Sequence, residues 1–448
     1  MRASGILMPV FSLPSRYGIG SFSKSAYQFV DMLKKAGQKY WQILPLCPTS
    51  YGDSPYQSFS TYAGNPYFID LDQLIEEKLL TRKECQACDF GDDPQDIDYG
   101  KLYENRFKLL RKAYERANVG EDQEFEAYRR ENAWWLDDYA LFMAVKDRFD
   151  GVAWNEWAED IRLRWSNAMD YYRRELYYEI EFYSYLQFVF MKQWKKLKNY
   201  ANINGIEIIG DIPIYVAFDS ADAWANPELF QFDAENLPTA VAGCPPDGFS
   251  ADGQLWGNPL YRWDYHRETG FDWWIRRIAY CSELYDVVRI DHFRGFDEYY
   301  SIPYGDTTAR NGHWEKGPGI ALFEAAKNRL GELNIIAEDL GYITDSVKKL
   351  VADSGFPGMK VLEFAFDSRE KSDYLPYTYE KNSVVYTGTH DNETIAGWYA
   401  GLDKSDLKMC TDYMNIDRIP GKEYHWDFIR LAMLSVSDLC VIPIQDYL

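Results

Sequence analysis

At 448 residues and 52.4 kDa the chain has room for one large barrel with insertions, or for two to three ordinary domains. A formal net charge of −22 argues against binding a phosphate backbone, which depends on clustered Lys and Arg, and no apolar run approaches membrane-spanning length. Seven cysteines, odd in number and scattered, fit reduced thiols better than a disulfide framework.

In chain order, Met1 and Arg2 lead into a brief apolar stretch broken by Pro9, too short for a secretory core, so a cytoplasmic location is expected. Gly5 to Leu13 reads as a first strand. Ser23 to Ala36 then carries Phe29, Val30 and Leu33 on one helical face before Gly37 stops it, and Tyr40 to Leu46 follows as a second strand. Strand, helix, strand at this spacing implies a parallel sheet. The glycines at Gly18 and Gly20 lack the third glycine and later acid of a dinucleotide fingerprint and read as a loop.

From Leu71 to Tyr185 the rhythm becomes helical, with Tyr103 to Ala117 and Glu124 to Phe149 as its clearest helices, so 71–185 is expected to be a mainly helical insertion. Cys85 and Cys88 form a lone C-x-x-C without a second pair, and no metal or redox role is assigned to them. A helix near Phe182 to Tyr200 leads to a strand at Ile206 to Ile212. The segment 219–269, dense in Pro, Gly, Asn and Asp, is expected to be a loop-rich subdomain, and its many aromatics argue for a functional rather than a disordered one. Further strands are read at Asp286 to Phe296, Asn334 to Leu340, Met359 to Phe366, Ser383 to Asn392 and Leu439 to Ile444, with helices at Phe271 to Leu284, Ala321 to Leu330 and after Thr344. Eight strands with helices between them predict a (β/α)8 TIM barrel, built from 1–70 and 186–448 and carrying long active-site loops.

The chemistry gathers where those strands end. Asp286 to Phe296 delivers Arg289, Asp291 and His292 in succession, Asn334 to Leu340 ends on Glu338 and Asp339, Ser383 to Asn392 ends on His390 and Asp391, and Asp211 closes an earlier strand. One such acid is more often a helix cap or an ion-pair partner than a catalyst. Four at one face of one barrel, Asp211, Asp291, Glu338 and Asp391, point to carboxylate chemistry. His292 and His390 beside acids raise the possibility of a metal centre. No His pair lies on the first strand, however, and all five His follow residue 265, so neither metal nor cofactor is expected. No G-x-S-x-G elbow offers a serine nucleophile. Glycosyl transfer suits paired carboxylates. The 17% aromatic content, with 36 Tyr, 25 Phe and 15 Trp, supplies faces on which sugar rings stack.

Eight stretches carry a family resemblance along nearly the whole chain: LPSRYGIGSF, WQILPLCPTSYGDSPYQSFS, GNPYFIDL, IIGDIPIYV, PPDGFSADGQLWGNPLY, VRIDHFRGF, IIAEDLG and THDNET. On these the chain resembles the 4-alpha-glucanotransferases (amylomaltase, or disproportionating enzyme) of the α-amylase superfamily. The resemblance implies Asp291 as nucleophile, Glu338 as general acid/base and Asp391 as a third carboxylate that holds the sugar and stabilises the transition state. It implies Tyr56, Asp211 and His390 as further contacts to the transferred ring, and Asp247, Gln254 and Trp256 as a loop over the acceptor side. Arg289, two residues before Asp291, should share its face of the strand, keeping Asp291 ionised while Glu338 has the higher pKa.

The implied function is a cofactor-free retaining transferase acting on maltooligosaccharides and linear α-1,4-glucans, with no nucleic-acid or membrane partner. An α-1,4-glucan hydrolase and a non-catalytic glucan-binding barrel are the alternatives. All three acids are present, which disfavours the last. Family members continue beyond the point at which this chain stops, at Leu448, so the eighth strand is expected without its following helix.

Overall fold

The computed structural model describes residues 2–93, 95–246, 250–341, 343–369, 371–417 and 423–448, with Tyr51 described through its backbone alone. Among them are twelve strands: β1 (Ala3–Leu7), β2 (Tyr40–Gln42), β3 (Glu207–Pro213), β4 (Ala240–Cys244), β5 (Gln254–Pro259), β6 (Val287–Asp291), β7 (Glu298–Pro303), β8 (His313–Lys316), β9 (Ile335–Ala337), β10 (Gly358–Val361), β11 (Ser383–Tyr386) and β12 (Leu439–Pro443). Eight of these, β1, β2, β3, β6, β9, β10, β11 and β12, pair in parallel and close on themselves through β12 and β1. The fold is a (β/α)8 barrel. Each anticipated barrel strand is present; seven end earlier than their apolar runs suggest, and β3 runs one residue further, to Pro213. The residues at the C-terminal ends leave the ladder: β9 stops at Ala337, just before Glu338, and β11 at Tyr386, before the turn that carries His390 and Asp391. Side chains released there stand in the loops of the face where barrel enzymes hold their sites.

Leu7, Ile209, Ile336, Met359, Val361, Val384, Tyr386 and Val441 form one buried cluster drawn from six of the barrel strands. Burying each such side chain contributes about 1.5–3 kcal/mol. Polar groups join them only when paired, and the Tyr386 hydroxyl donates to Gln42 Oε1 at 2.8 Å. The helices between strands follow the periodicity of the sequence. Lys24–Lys35 buries Phe29, Val30 and Leu33. Asp345–Ser354 begins where Thr344 Oγ1 accepts from the Val347 amide, and it ends on Gly355 at φ +73°.

Between β2 and β3 run long helices, Tyr99–Ala117, Gln123–Arg148 and Tyr177–Ile203, with shorter ones among them. The boundary drawn at 185/186 falls inside Tyr177–Ile203, because that helix serves both sides. Its Gln187 clamps the strap after β2, taking the Gly64 amide at 2.7 Å and donating to the Gly64 carbonyl at 2.9 Å. Gly64 faces the Phe190 ring so closely that a Cβ would stand 2.2 Å from it. No helix among the described residues is long and apolar enough to cross a membrane.

The segment 219–269 holds more regular structure than its composition suggests. It contributes β4 and β5 to a four-stranded antiparallel sheet, ordered β5-β4-β7-β8, that stands apart from the barrel ladder. Glycine, asparagine and proline in Gln254–Pro259 and the short His313–Lys316 hide these strands from any reading by β-propensity. Pairing with neighbours overrides local preference here.

Candidate active site

The floor of the site is built on register. β3 and β6 pair with Asp211 directly opposite Arg289, which places a carboxylate and a guanidinium side by side at the barrel mouth. Asp211 is fully buried and Arg289 is 2% exposed. Arg289 Nη1 reaches both Asp211 oxygens at 2.7 Å, while Nη2 donates to Asp291 Oδ1 at 3.0 Å. Its Nε lies 3.3 Å from Met359 Sδ. Burial opposes the arginine's charge, but the Asp211 and Asp291 carboxylates outweigh it and hold the guanidinium protonated. Charge-assisted contacts of this kind fix orientation as well as energy. Gly210 is required beside Asp211, since a Cβ there would stand 2.2 Å from the Tyr285 ring.

Glu338 follows β9 and faces Asp291 across the mouth. His292, just after β6, adopts left-handed backbone at φ +54°, ψ +46°, a conformation that costs a β-carbon residue of order 1–3 kcal/mol. That turn aims the His292 amide at Glu338 Oε2 at 2.6 Å, and the Leu340 amide meets Oε1 at 2.8 Å. These two donors favour the carboxylate. Burial and the negative charge of Asp291 favour the neutral acid and win, so Glu338 is pushed up to about 7. One carboxyl, Asp291, is thus tied to a fixed cation, and the other, Glu338, is buried and raised towards neutral pH.

From this floor a chain of polar contacts climbs to the rim. The Tyr56 hydroxyl donates to Asp211 Oδ2 at 2.7 Å and lies 2.8 Å from His390 Nε2, with the two rings stacked at 8° and 5.4 Å between centroids. His390 Nε2 is also 3.3 Å from Asp391 Oδ2. The Asp391 side chain is 74% exposed. Asp291 and Glu338 thus stand together, and Asp391 stands above them on the turn, joined through His390, Tyr56, Asp211 and Arg289.

On the opposite side Trp256, half-buried on β5, meets the His292 ring edge-on at 4.8 Å, and its Nε1 donates to Gln254 Oε1 at 3.0 Å. Gln254 is exposed. Burial pulls His292 down to about 4, leaving a neutral ring next to the nucleophile candidate. Asp247 lies outside the described residues. Among the described residues no group of three His, Cys, Asp or Glu is placed to hold a metal ion. Sequence reasoning missed the Asp211–Arg289 pair, whose signal was the shared strand-end position of an acid and a base. It also passed over Glu363, a buried acid in the 3-10 turn Leu362–Phe364 that follows β10.

A parallel barrel that collects an arginine-bound carboxylate, a buried protonated acid and a stacked tyrosine–histidine pair at its C-terminal mouth has the construction of an enzyme that works on glycosidic bonds through carboxylates. Comparison with known proteins is specific. The family model described as 4-alpha-glucanotransferase matches residues 8–448, and the chain belongs to that family of transferases. It is 49% identical over 443 residues to a 4-alpha-glucanotransferase of Clostridium butyricum, covering 98% of this chain and 91% of that protein. With that of Thermus thermophilus it shares 46% over 456 residues, covering 100% and 90%. The fold is similar to that of amylomaltase from Streptococcus agalactiae in complex with acarbose, with a TM-score of 0.96, 45% identity and coverage of 100% and 90%.

Proposed function

We propose that this enzyme is a retaining transferase that moves α-1,4-glucan segments between maltooligosaccharides through a covalent glucosyl-enzyme intermediate. One observation carries this reading: Glu338 is buried and shifted to about 7 beside Asp291, while Asp291 is bound by Arg289. Asp291 attacks the anomeric carbon as Glu338 gives its proton to the departing glycosidic oxygen, leaving the donor's remainder as a free sugar. Glu338, now a carboxylate, takes the proton of an acceptor hydroxyl that attacks the anomeric carbon and displaces the Asp291 carboxylate. Two inversions preserve the α-linkage.

Asp391, His390, Tyr56 and Asp211 hold the transferred ring, and Trp256 with Gln254 faces the acceptor. Kinship to an amylomaltase solved with acarbose supports maltooligosaccharides and linear α-1,4-glucans as substrates. Seven free thiols suit a reducing compartment, which we take to be the cytoplasm. Incubation with pure maltotriose tests the reading: glucose together with longer oligomers means transfer, whereas maltose and glucose without longer products means hydrolysis and contradicts it.

A further inference from the structure

We propose that Glu363 is a positioning residue: its buried carboxyl, seated against Gly388, sets where the turn bearing His390 and Asp391 stands at the barrel mouth. The inference rests on the reading above, in which that turn holds the sugar. β10 and β11 pair with Val361 opposite Tyr386, so Glu363 and Gly388 emerge together from adjacent strands at the same end of the barrel. The Glu363 amide donates to the Thr387 carbonyl at 3.1 Å. Its side chain fills the space a residue at 388 would need, since a Cβ on Gly388 would stand 2.6 Å from Glu363 Oε1 and 3.2 Å from Asn392 Cβ.

The rest of the turn is braced from within and from behind. Asn392 Oδ1 accepts from the Thr389 amide and hydroxyl, both at 2.9 Å. Asp446 takes the Thr387 hydroxyl on one oxygen and the Ile395 amide, at 2.8 Å, on the other. Thr387, Gly388 and Ile395 are therefore tied down. The catalytic-end residues between them take their place from those three anchors, and Glu363 supplies the middle one.

Glu363 is only 8% exposed, and its Oε1 is buried without a hydrogen-bond partner among the described residues. Burial, then Asp446, then Glu393 push it up to about 8. The charges that face it are thus both acidic, and His425 acts on Asp446 from beyond. While protonated, Glu363 fits this nook. Once ionised it adds a third negative charge beside Asp446 and Glu393, with no compensating cation acting on it among the described residues, and the turn must shift to admit water.

The test uses the full chain carrying Asp291→Asn, so that bound sugar is not consumed, and measures maltotriose affinity by calorimetry at about pH 6.5 and about pH 9.5. With Glu363 present, Kd should rise with pH by roughly fivefold or more, the low end of a coupling between sites. With Glu363→Gln added, most of that rise should vanish; every other titrating group, Glu338 included, remains in both proteins, so the difference between them reports Glu363. Equal rises in the two proteins overturn the proposal. Gly388→Ala gives an independent arm: it should weaken binding at both pH values, and Glu363→Ala combined with it should restore part of the affinity. Unaltered binding by Gly388→Ala likewise overturns the proposal. Asp391→Ala separates the two levels. If it binds maltotriose as the parent does, or if Asp291→Asn still consumes the sugar, the reading of the site fails first.

Discussion

The floor and the rim of this barrel mouth are built by opposite means. On the floor, Asp211 and Arg289 are almost wholly buried and set by strand register, and each charged group has partners on more than one side. On the rim, Asp391 and Gln254 are exposed, and Trp256 stands on a strand of the outlying sheet rather than of the barrel. The difference assigns tasks. Bond-breaking requires groups held within a fraction of an ångström, which the buried ladder supplies. Choosing between water and a sugar as the second nucleophile requires a surface that an incoming molecule can reach, which only the rim offers.

That division can be broken at the floor most severely. Asp291→Asn keeps the shape and removes the proposed nucleophile, so turnover should fall on the order of 10⁴-fold or more while the circular dichroism spectrum is retained. Arg289→Lys keeps the charge but replaces a planar fork that grips two carboxylates with a single point. Transfer should fall on the order of 10²-fold through misplacement of Asp291. A near-normal rate in that variant would show that the floor does not need its bidentate geometry.

The pH dependence sharpens the same contrast. The proposed mechanism needs a protonated Glu338 to assist the leaving oxygen, so kcat/KM should decline as pH rises through about 7, approaching tenfold per unit. Because its folded-state pKa is raised from the usual 4.5, the native protein binds more protons than the unfolded chain between about 4.5 and 7, and stability falls as pH rises across that window. Glu338→Gln should therefore be inactive yet, above pH 7, more stable than the parent, by on the order of 3 kcal/mol if the whole shift is expressed. Thermal unfolding at about pH 5 and about pH 8 checks the sign. The floor would then be a place where function is kept at the expense of stability.

At the rim the expected effect is smaller and different in kind. Trp256→Ala removes an aromatic contact of about 0.5–1.5 kcal/mol, so acceptor use should weaken roughly two- to tenfold while cleavage is less affected. The fraction of intermediate lost to water should rise. Glucose and reducing ends released from maltotriose measure it, and equal slowing of transfer and hydrolysis would confine the loop to forming the intermediate.

The sequence made the floor legible because strand ends mark themselves. An apolar β-branched run that stops on a charged residue, as at Val287 to Asp291 or Ile335 to Glu338, gives both the element and the candidate residues at its end. Arg289 and Asp291 on one face follow from a period of two. What could not be read was pairing between distant segments. That Asp211 sits opposite Arg289 is a fact of register, and that Gln254–Pro259 is a strand depends on Ala240–Cys244 beside it. Glu363 escaped notice for a related reason: a lone acid after an apolar run gains meaning only once Gly388 and Asp446 are known to surround it.

The central claim is that Asp291 carries the sugar between donor and acceptor. It is tested most directly by giving Glu338→Gln protein an α-maltosyl fluoride, whose leaving group needs no acid, and mapping the product by mass spectrometry after peptic digestion. Without a base to activate water or an acceptor, the intermediate should accumulate, and the added sugar mass should lie on the peptide containing Asp291. Absence of any adduct, or an adduct on a peptide carrying Asp391 or Asp211 instead, would contradict the claim.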